Sequence, residues 1–204
     1  MRTDLSKMAS AVFISKTPNS REEIERFIQE GIGGFMIGKG GEIASGEQRA
    51  LEGNSEESLT EFVNFIKKCA SEAGTPLLYL AIDGEGGRYF NRLKDLGNLR
   101  PPREYGLHYE QSGETGLLAD DVSGYAALMK RIGLNMNFAP LFDRAGQGYT
   151  GYVAEERVSQ KQLAELTDSE SFAASRAYSD RSETVVTLAL EAERIFREHG
   201  IVCT

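Results

Sequence analysis

The amino-acid sequence predicts a parallel α/β fold. Apolar runs typical of strands alternate along the chain with runs whose apolar residues recur at helical spacing. The clearest strand is the run at residues 77–82, which follows Pro76 and is apolar throughout, as a strand buried on both faces of a parallel sheet requires. The clearest helix begins at Ser55 and ends at Gly74, with its apolar residues on one face.

The predicted elements follow one another in the order βαβαβαβαβ. The predicted strands cover residues 8–15, 32–37, 77–82, 134–142 and the final residues 201–204. The predicted helices begin at Ser20 (with Glu23 completing a capping box), at Ser55, near Glu114 and at Ser179, and they end at Gly31, Gly74, Gly133 and Gly200. We predict no regular structure for residues 89–113, which contain Pro101 and Pro102, or for the long polar segment 144–178.

Two architectures fit this order of elements. One is an open five-stranded sheet, and the other is a (β/α)8 barrel of the TIM type of which the chain supplies only part. The sequence stops a few residues into a predicted strand, which would leave an unpaired strand edge. We therefore expect a partial TIM-type barrel with about four βα units and the start of a fifth strand, folded as a single domain over residues 1–204.

Composition and charge exclude several classes of partner. The net charge of −8 argues against nucleic acid, because phosphate binding depends on clustered Lys and Arg side chains. No apolar run approaches the roughly 18 residues that a membrane span needs, so we expect a cytoplasmic protein with no membrane partner. Cys69 and Cys203 are expected to be buried thiols. His108 and His199 belong to no cluster of metal-binding residues, so no metal or cofactor is expected.

The most informative motif is the turn that follows the strand at residues 77–82. Asp83 stands where that strand ends, and in parallel α/β folds ligands bind at the carboxyl ends of strands. Glu85 follows among glycines, so the two carboxylates could form an acid–base pair of the kind that glycosidases use. The alternative, which we favour, is that Glu85 braces the turn by accepting hydrogen bonds from backbone N–H groups.

With these elements in place, the sequence resembles the N-terminal catalytic domain of family 3 glycoside hydrolases, above all the bacterial β-N-acetylhexosaminidases. Three stretches carry the resemblance: GGFMI at 33–37, AIDGEGGR at 81–88 and GLNMNFAPLFD at 133–143. A fourth and weaker stretch, RAYSD at 176–180, leads into the last predicted helix. The order and spacing of these stretches span nearly the whole chain.

The resemblance implies a TIM-type barrel that binds a sugar of N-acetylglucosamine type or a peptidoglycan fragment. It implies that Asp83 holds sugar hydroxyls and that Arg176 reaches the substrate from the loop after the fourth strand. The family carries a second arginine three residues after the position of Arg88. Here that position is Asn91, with Arg92 next to it, and both are candidate substrate-binding residues.

The resemblance also implies that the family's catalytic pair is absent from this sequence. The family carries its acid/base histidine in a Lys-His-Phe-Pro-Gly-His stretch at the fifth strand, and its nucleophilic aspartate after a later strand. Neither occurs within the 204 residues, so we assign no catalytic residue and expect little or no turnover by this polypeptide alone. The alternative is a non-catalytic half-barrel that binds a sugar or a partner protein and completes its sheet by oligomerising through open strand edges.

Overall fold

The fold is built on a five-stranded parallel sheet. We describe it from a computed structural model, which describes residues 11, 13–38, 55–75, 78–86, 90–91, 93, 96–97, 99–142, 144 and 176–204. In chain order the strands are β1 (Ile14–Lys16), β2 (Gly34–Met36), β3 (Tyr79–Ile82), β4 (Gly84–Gly86), β5 (Phe90–Asn91), β6 (Met136–Asn137) and β7 (Val202–Cys203). The parallel sheet has the order β1-β2-β3-β6-β7, and β4 pairs with β5 in a separate antiparallel ribbon.

The helices lie in a row beside this sheet. In chain order they are α1 (Arg21–Gln29), α2 (Glu56–Glu72), α3 (Pro102–Ser112), α4 (Gly116–Ile132) and α5 (Ser182–Glu198). Helix α1 packs on α2, α2 on α4, and α4 on α5. Each strand of the parallel sheet lies beside the next one along the chain, as in a barrel, whereas a doubly wound sheet reverses its strand order at a switch point. The expected partial barrel is therefore confirmed, with an open sheet.

The core lies between the sheet and the helix row. Helix α2 begins at a capping box made by Ser55 and Ser58, and most of its predicted apolar stripe is buried in the core. Strand β3 is the centre of the sheet, and Leu80, Ala81 and Ile82 are completely buried, as the apolar run predicted. Tyr79, at the start of the strand, is 45% exposed, so burial on both faces does not extend to the whole run. Because β3 is buried, it is held rigidly, and so is the point of the backbone from which Asp83 follows.

Helix α3 shows that the prediction of an irregular stretch through residue 113 was wrong. Pro102 occupies its first turn, where the missing N–H of proline leaves no hydrogen bond unmade. The same proline had suggested a break, because proline inside a helix is disruptive. The buried face of α3 is narrow, with Tyr105 and Gly106 as its centre, so the apolar period is weak. His108 lies on this helix, with Nδ1 3.3 Å from the Glu114 carbonyl oxygen.

Three further predictions need correction. The strand predicted at 134–142 is regular only in β6, and the chain then leaves the ladder before a cis peptide bond between Ala139 and Pro140. Ser179 does not cap α5, whose N-cap is Arg181; its hydroxyl instead accepts a hydrogen bond from the Arg181 N–H at 2.9 Å. The thiols of Cys69 and Cys203 are free but half-buried, because both lie at the margin of the core.

Some sequence predictions lie outside the described residues. They concern the start of the first strand at 8–10, Arg88, Arg92, Asp143 and most of the polar segment, residues 145–175. In the part of the chain that the structure describes, no helix is both long and apolar enough to cross a membrane. Within the same ranges, His, Cys, Asp and Glu side chains form no group that could hold a metal ion.

Candidate functional site

The candidate site lies at the carboxyl end of β3. Its apolar strand ends at Ile82, and Asp83 turns the chain into β4, which carries Glu85. Asp83 is half-buried and Glu85 is buried. Lys16, the last residue of β1, lies close enough for its charge to act on Asp83. Three charged side chains therefore lie near one another at the carboxyl end of the strands, where parallel α/β folds bind their ligands.

Glu85 forms a bidentate ion pair with Arg176. The Arg176 Nε donates to Glu85 Oε2 at 2.6 Å, and Nη2 donates to Oε1 at 2.5 Å. Water reaches little of the pair, since the side chain of Glu85 is 7% exposed and that of Arg176 is 23% exposed. The planar guanidinium matches the two carboxylate oxygens, so the pair fixes orientation as well as distance. It ties the turn after β3 to the segment that precedes α5, 91 residues further along the chain.

This ion pair changes the interpretation of both residues. Glu85 does brace the turn, and its partner among the described residues is the side chain of Arg176. The hydrogen bonds from backbone N–H groups that we expected stay a prediction. Because both of its oxygens accept from one guanidinium, Glu85 is not placed as the second member of an acid–base pair with Asp83. Arg176 turns two donors towards Glu85, and its contact with a substrate stays a prediction.

The environment of Asp83 disfavours its charge. Burial raises the pKa of the Asp83 carboxyl above its ordinary 3.8, and the neighbouring Glu85 carboxylate raises it further, while Arg176 and Lys16 offset part of the effect. A carboxylate that has already lost part of its hydration gains strongly from any donor that replaces the lost water. Asp83 is thus suited to accept hydrogen bonds from the hydroxyl groups of a ligand.

An aromatic layer lies next to the ion pair. The ring of Tyr178 is 4.7 Å from that of Phe142 and 6.2 Å from that of Tyr105, measured between centroids. Burial raises the pKa of the Tyr178 phenol, and the Glu85 charge adds to the shift, so this hydroxyl stays neutral. Helix α3 approaches closely here, since a Cβ on Gly106 would lie 1.8 Å from the Tyr178 carbonyl oxygen.

Helix α3 also holds the segment around Arg176 through polar contacts. The Arg103 Nη1 donates to the Tyr178 carbonyl oxygen at 3.1 Å and to Glu110 Oε1 at 3.2 Å. The Ser179 hydroxyl hydrogen-bonds to the same Glu110 oxygen. These contacts fix the backbone just after Arg176, which is why its guanidinium meets Glu85 in one defined orientation.

Of the two remaining candidates, Asn91 and Arg92, the structure describes only Asn91. Asn91 belongs to β5 and lies opposite Gly84 in the antiparallel ribbon, so its backbone is next to the candidate site. Arg92 lies outside the described residues. Sequence reasoning missed Asn137, whose buried side chain hydrogen-bonds to Gly84. A signal was available, because Asn135 and Asn137 interrupt an apolar strand and buried polar groups need partners.

Replacing Glu85 by Gln should lower the free energy of unfolding by about 3 kcal/mol, because it removes the carboxylate from a shielded guanidinium. Urea denaturation at neutral pH measures this loss. The matched control is Glu56→Gln, which breaks a pair with Arg131 of the same bidentate form but with exposed side chains. That control should change stability little. Equal losses in the two variants would contradict the importance of burial at Glu85.

The Asp83→Asn variant should melt at a higher temperature than the wild type at neutral pH. Folding raises the pKa of Asp83, so its contribution to stability is full below the ordinary pKa of 3.8 and is lost as pH rises through the raised value. The difference in Tm between variant and wild type should therefore shrink as pH falls.

The control for this measurement is Glu110→Gln, for which the sign is opposite. Burial opposes the charge of Glu110, but hydrogen bonds from Ser179 and Arg103 outweigh it and lower the pKa. This variant should lose stability at neutral pH, and the loss should fade as pH falls through the lowered pKa. An Asp83→Asn variant that melts below the wild type at neutral pH would show that the charge of Asp83 is not disfavoured in the fold.

Comparison with known proteins gives matches of one kind only. No family model and no curated protein matches the sequence. Solved structures match over almost the whole chain. A family 3 β-N-acetylglucosaminidase from Paenibacillus sp. str. FPU-7 has a TM-score of 0.66 at 19% identity, over 98% of this chain and 32% of its own. A β-N-acetylhexosaminidase from Beutenbergia cavernae DSM 12333 has a TM-score of 0.68 at 17% identity, over 98% of this chain and 52% of its own.

A third solved structure, which is a complex with a ligand, matches in the same way. NagZ from Neisseria gonorrhoeae, in complex with N-trifluoroacetyl-D-glucosamine, has a TM-score of 0.65 at 18% identity, over 93% of this chain and 47% of its own. The chain thus spans between 32% and 52% of the length of these three structures. At such identities the likeness shows the fold, which is that of part of the barrel in family 3 glycoside hydrolases.

Proposed function

We propose that this chain is the sugar-binding, N-terminal part of a family 3 glycoside hydrolase barrel of the β-N-acetylhexosaminidase type. It binds a sugar of N-acetylglucosamine type, alone or in a peptidoglycan fragment, and does not hydrolyse it unaided. The observation that carries the proposal is the half-buried Asp83 carboxylate at the carboxyl end of β3, next to the Glu85–Arg176 ion pair. The shared fold supports the choice of family.

Asp83 is the principal sugar-binding residue in this proposal. Its two carboxylate oxygens can accept from two adjacent hydroxyls of one sugar ring, and such charge-assisted hydrogen bonds are about twice as strong as neutral ones. Part of the desolvation that binding requires has already occurred on folding, because Asp83 is half-buried in the free protein. The solved NagZ complex holds an N-acylated glucosamine, which supports an N-acetylglucosamine-type ligand here.

Arg176 supplies donors beside this acceptor. Its guanidinium is held by Glu85, so little conformational freedom is lost when a ligand binds. A fixed cationic donor next to a carboxylate acceptor matches a sugar, whose hydroxyl groups both donate and accept. We assign Asn91 and Arg92 to the same rim, since β5 pairs with the strand that carries Glu85.

The described residues argue against hydrolysis by this chain alone. Glycoside hydrolysis needs one group that protonates the leaving oxygen and a second that attacks or activates water. At the described edge of the sheet, Glu85 is engaged with Arg176, which leaves Asp83 as the single carboxylate placed for a ligand. We therefore assign Asp83 to binding and no residue of this chain to catalysis.

Isothermal titration with N-acetylglucosamine tests the sugar site. The wild type should bind, and Asp83→Ala should lose about 2 kcal/mol of binding free energy, the contribution of a hydrogen bond to a charged group. The control is Asp120→Ala, which removes an exposed carboxylate on α4 and should leave the affinity unchanged. Absence of binding heat in the wild type, or equal losses in both variants, would refute the assignment.

A second candidate function is a half-barrel that completes its sheet through another copy of itself. The described sheet ends at β1 and β7, and Val202 on β7 is 46% exposed. Strand edges with exposed apolar side chains favour pairing between molecules.

Sedimentation velocity over a range of concentrations tests this self-association. The wild type should form dimers as concentration rises, and Val202→Lys should stay monomeric because a charged edge strand opposes pairing. Val186→Lys is the control, since Val186 is 56% exposed on α5 and belongs to no strand edge. A wild type that is monomeric at every concentration would end this candidate.

A further inference from the structure

We infer that Asn137 is a positioning residue for the candidate sugar site, acting through the backbone of Gly84. Asn137 contacts neither a ligand nor a carboxylate in this role. It holds the one residue that separates Asp83 from Glu85, and so it sets the directions in which those two side chains leave the chain. The consequence for sugar affinity rests on the proposed function, whereas the consequence for the geometry of Asp83 does not.

The contact between Asn137 and Gly84 is a two-point clamp. Asn137 Oδ1 accepts from the Gly84 N–H at 2.9 Å, and Asn137 Nδ2 donates to the Gly84 carbonyl oxygen at 3.3 Å. One carboxamide thus holds both polar groups of a single residue. Asn137 is 0% exposed, so water does not compete for these bonds and the amide has its partners inside the protein.

The ladder explains why Asn137 reaches this position. In the parallel pairing of β3 with β6, Asn137 lies beside Ile82, the last residue of β3. Its side chain extends forward along the neighbouring strand and meets the chain where β3 has ended and the turn begins. The parallel ladder between β3 and β6 ends at this point, and the side chain of Asn137 holds the next part of the chain at Gly84, which β5 pairs with in the antiparallel ribbon.

Tyr125 closes the space that a side chain on Gly84 would occupy. A Cβ on Gly84 would lie 2.6 Å from the hydroxyl oxygen of Tyr125, which is a fully buried side chain of α4. Gly84 is therefore held by a carboxamide through its backbone and has a phenol where its own side chain would be. This confinement keeps two carboxylates of like charge close together, and it directs Glu85 to Arg176 while Asp83 stays at the edge of the sheet.

Asn135, which directly precedes β6, provides a comparison two residues away from Asn137. Asn135 Oδ1 accepts from the Leu80 N–H at 2.7 Å, and Nδ2 donates to the Leu78 carbonyl oxygen at 3.0 Å. This second clamp has the same chemistry, but it holds Leu80 within β3 and Leu78 just before it, and not the turn. If the clamps only stabilise the fold, replacing either asparagine should leave the geometry of Asp83 unchanged. If Asn137 positions Asp83, only the replacement of Asn137 should change that geometry.

The experiment compares Asn137→Ala with Asn135→Ala by carbon-detected NMR titration of the Asp83 carboxyl group, without any ligand. In Asn137→Ala the released turn should let water reach Asp83, so its titration midpoint should move towards the ordinary value of 3.8. In Asn135→Ala the midpoint should stay at the wild-type value. The affinity for N-acetylglucosamine should fall roughly tenfold or more in Asn137→Ala and stay constant in Asn135→Ala.

A second variant and a second measurement cover the case in which Asn137→Ala does not fold. Asn137→Ser leaves a smaller cavity and keeps a hydroxyl near Gly84, and it should shift the Asp83 midpoint in the same direction. In the wild type, the Gly84 amide should exchange slowly with solvent, and Asn137→Ser should speed its exchange while Asn135→Ser does not.

Two results would overturn the inference. One is an Asp83 midpoint that is the same in the Asn137 variants as in the wild type, and the other is rapid exchange of the wild-type Gly84 amide. These outcomes are distinct from failure of the proposed function. A wild type that binds no N-acetylglucosamine would end the sugar assignment, but the ligand-free titration would still decide whether Asn137 positions Asp83.

Discussion

The ion pair between Glu85 and Arg176 is the interaction on which the candidate site depends. It joins the turn after β3 to the segment before α5, and it does so with two hydrogen bonds in a place that water reaches little. Such pairs cost desolvation, so the pair is better understood as a determinant of geometry than as a net source of stability. It places a cationic donor beside Asp83, and the contacts of Tyr178 with α3 hold the same segment from the other side.

Two of the residues around the turn have defined side-chain roles in the fold, and the third is the residue that we propose binds the ligand. Glu85 has a side-chain partner in Arg176, and Asn137 has both of its hydrogen bonds with Gly84. Asp83 is the carboxylate whose surroundings disfavour its charge, since burial and Glu85 raise its pKa. Binding sites typically contain groups that destabilise the folded protein, because function and not stability determines which group stands there.

The sequence was sufficient for the order of the five parallel strands and of helices α1, α2, α4 and α5. The apolar run before Asp83 predicted the central strand, and the spacing of apolar residues predicted α2 and its buried face. It was insufficient for α3, because a proline pair is compatible both with a break and with a helix start. The partner of Glu85 could not be read from local pattern, since Arg176 is brought near only by the packing of α3 and α5. The sequence does show two asparagines in an apolar strand, and buried amides of this kind predict a polar clamp without identifying its target.

The central claim is that the Asp83 carboxylate receives hydrogen bonds from sugar hydroxyls. The most direct measurement is the titration of the Asp83 carboxyl by NMR in the presence of saturating N-acetylglucosamine, with Glu110 as a reference carboxyl in the same spectra. A ligand that donates to the ionised form must stabilise it, so the account predicts that the pKa of Asp83 falls on binding while that of Glu110 stays constant. Saturation that leaves the pKa of Asp83 unchanged would contradict the account.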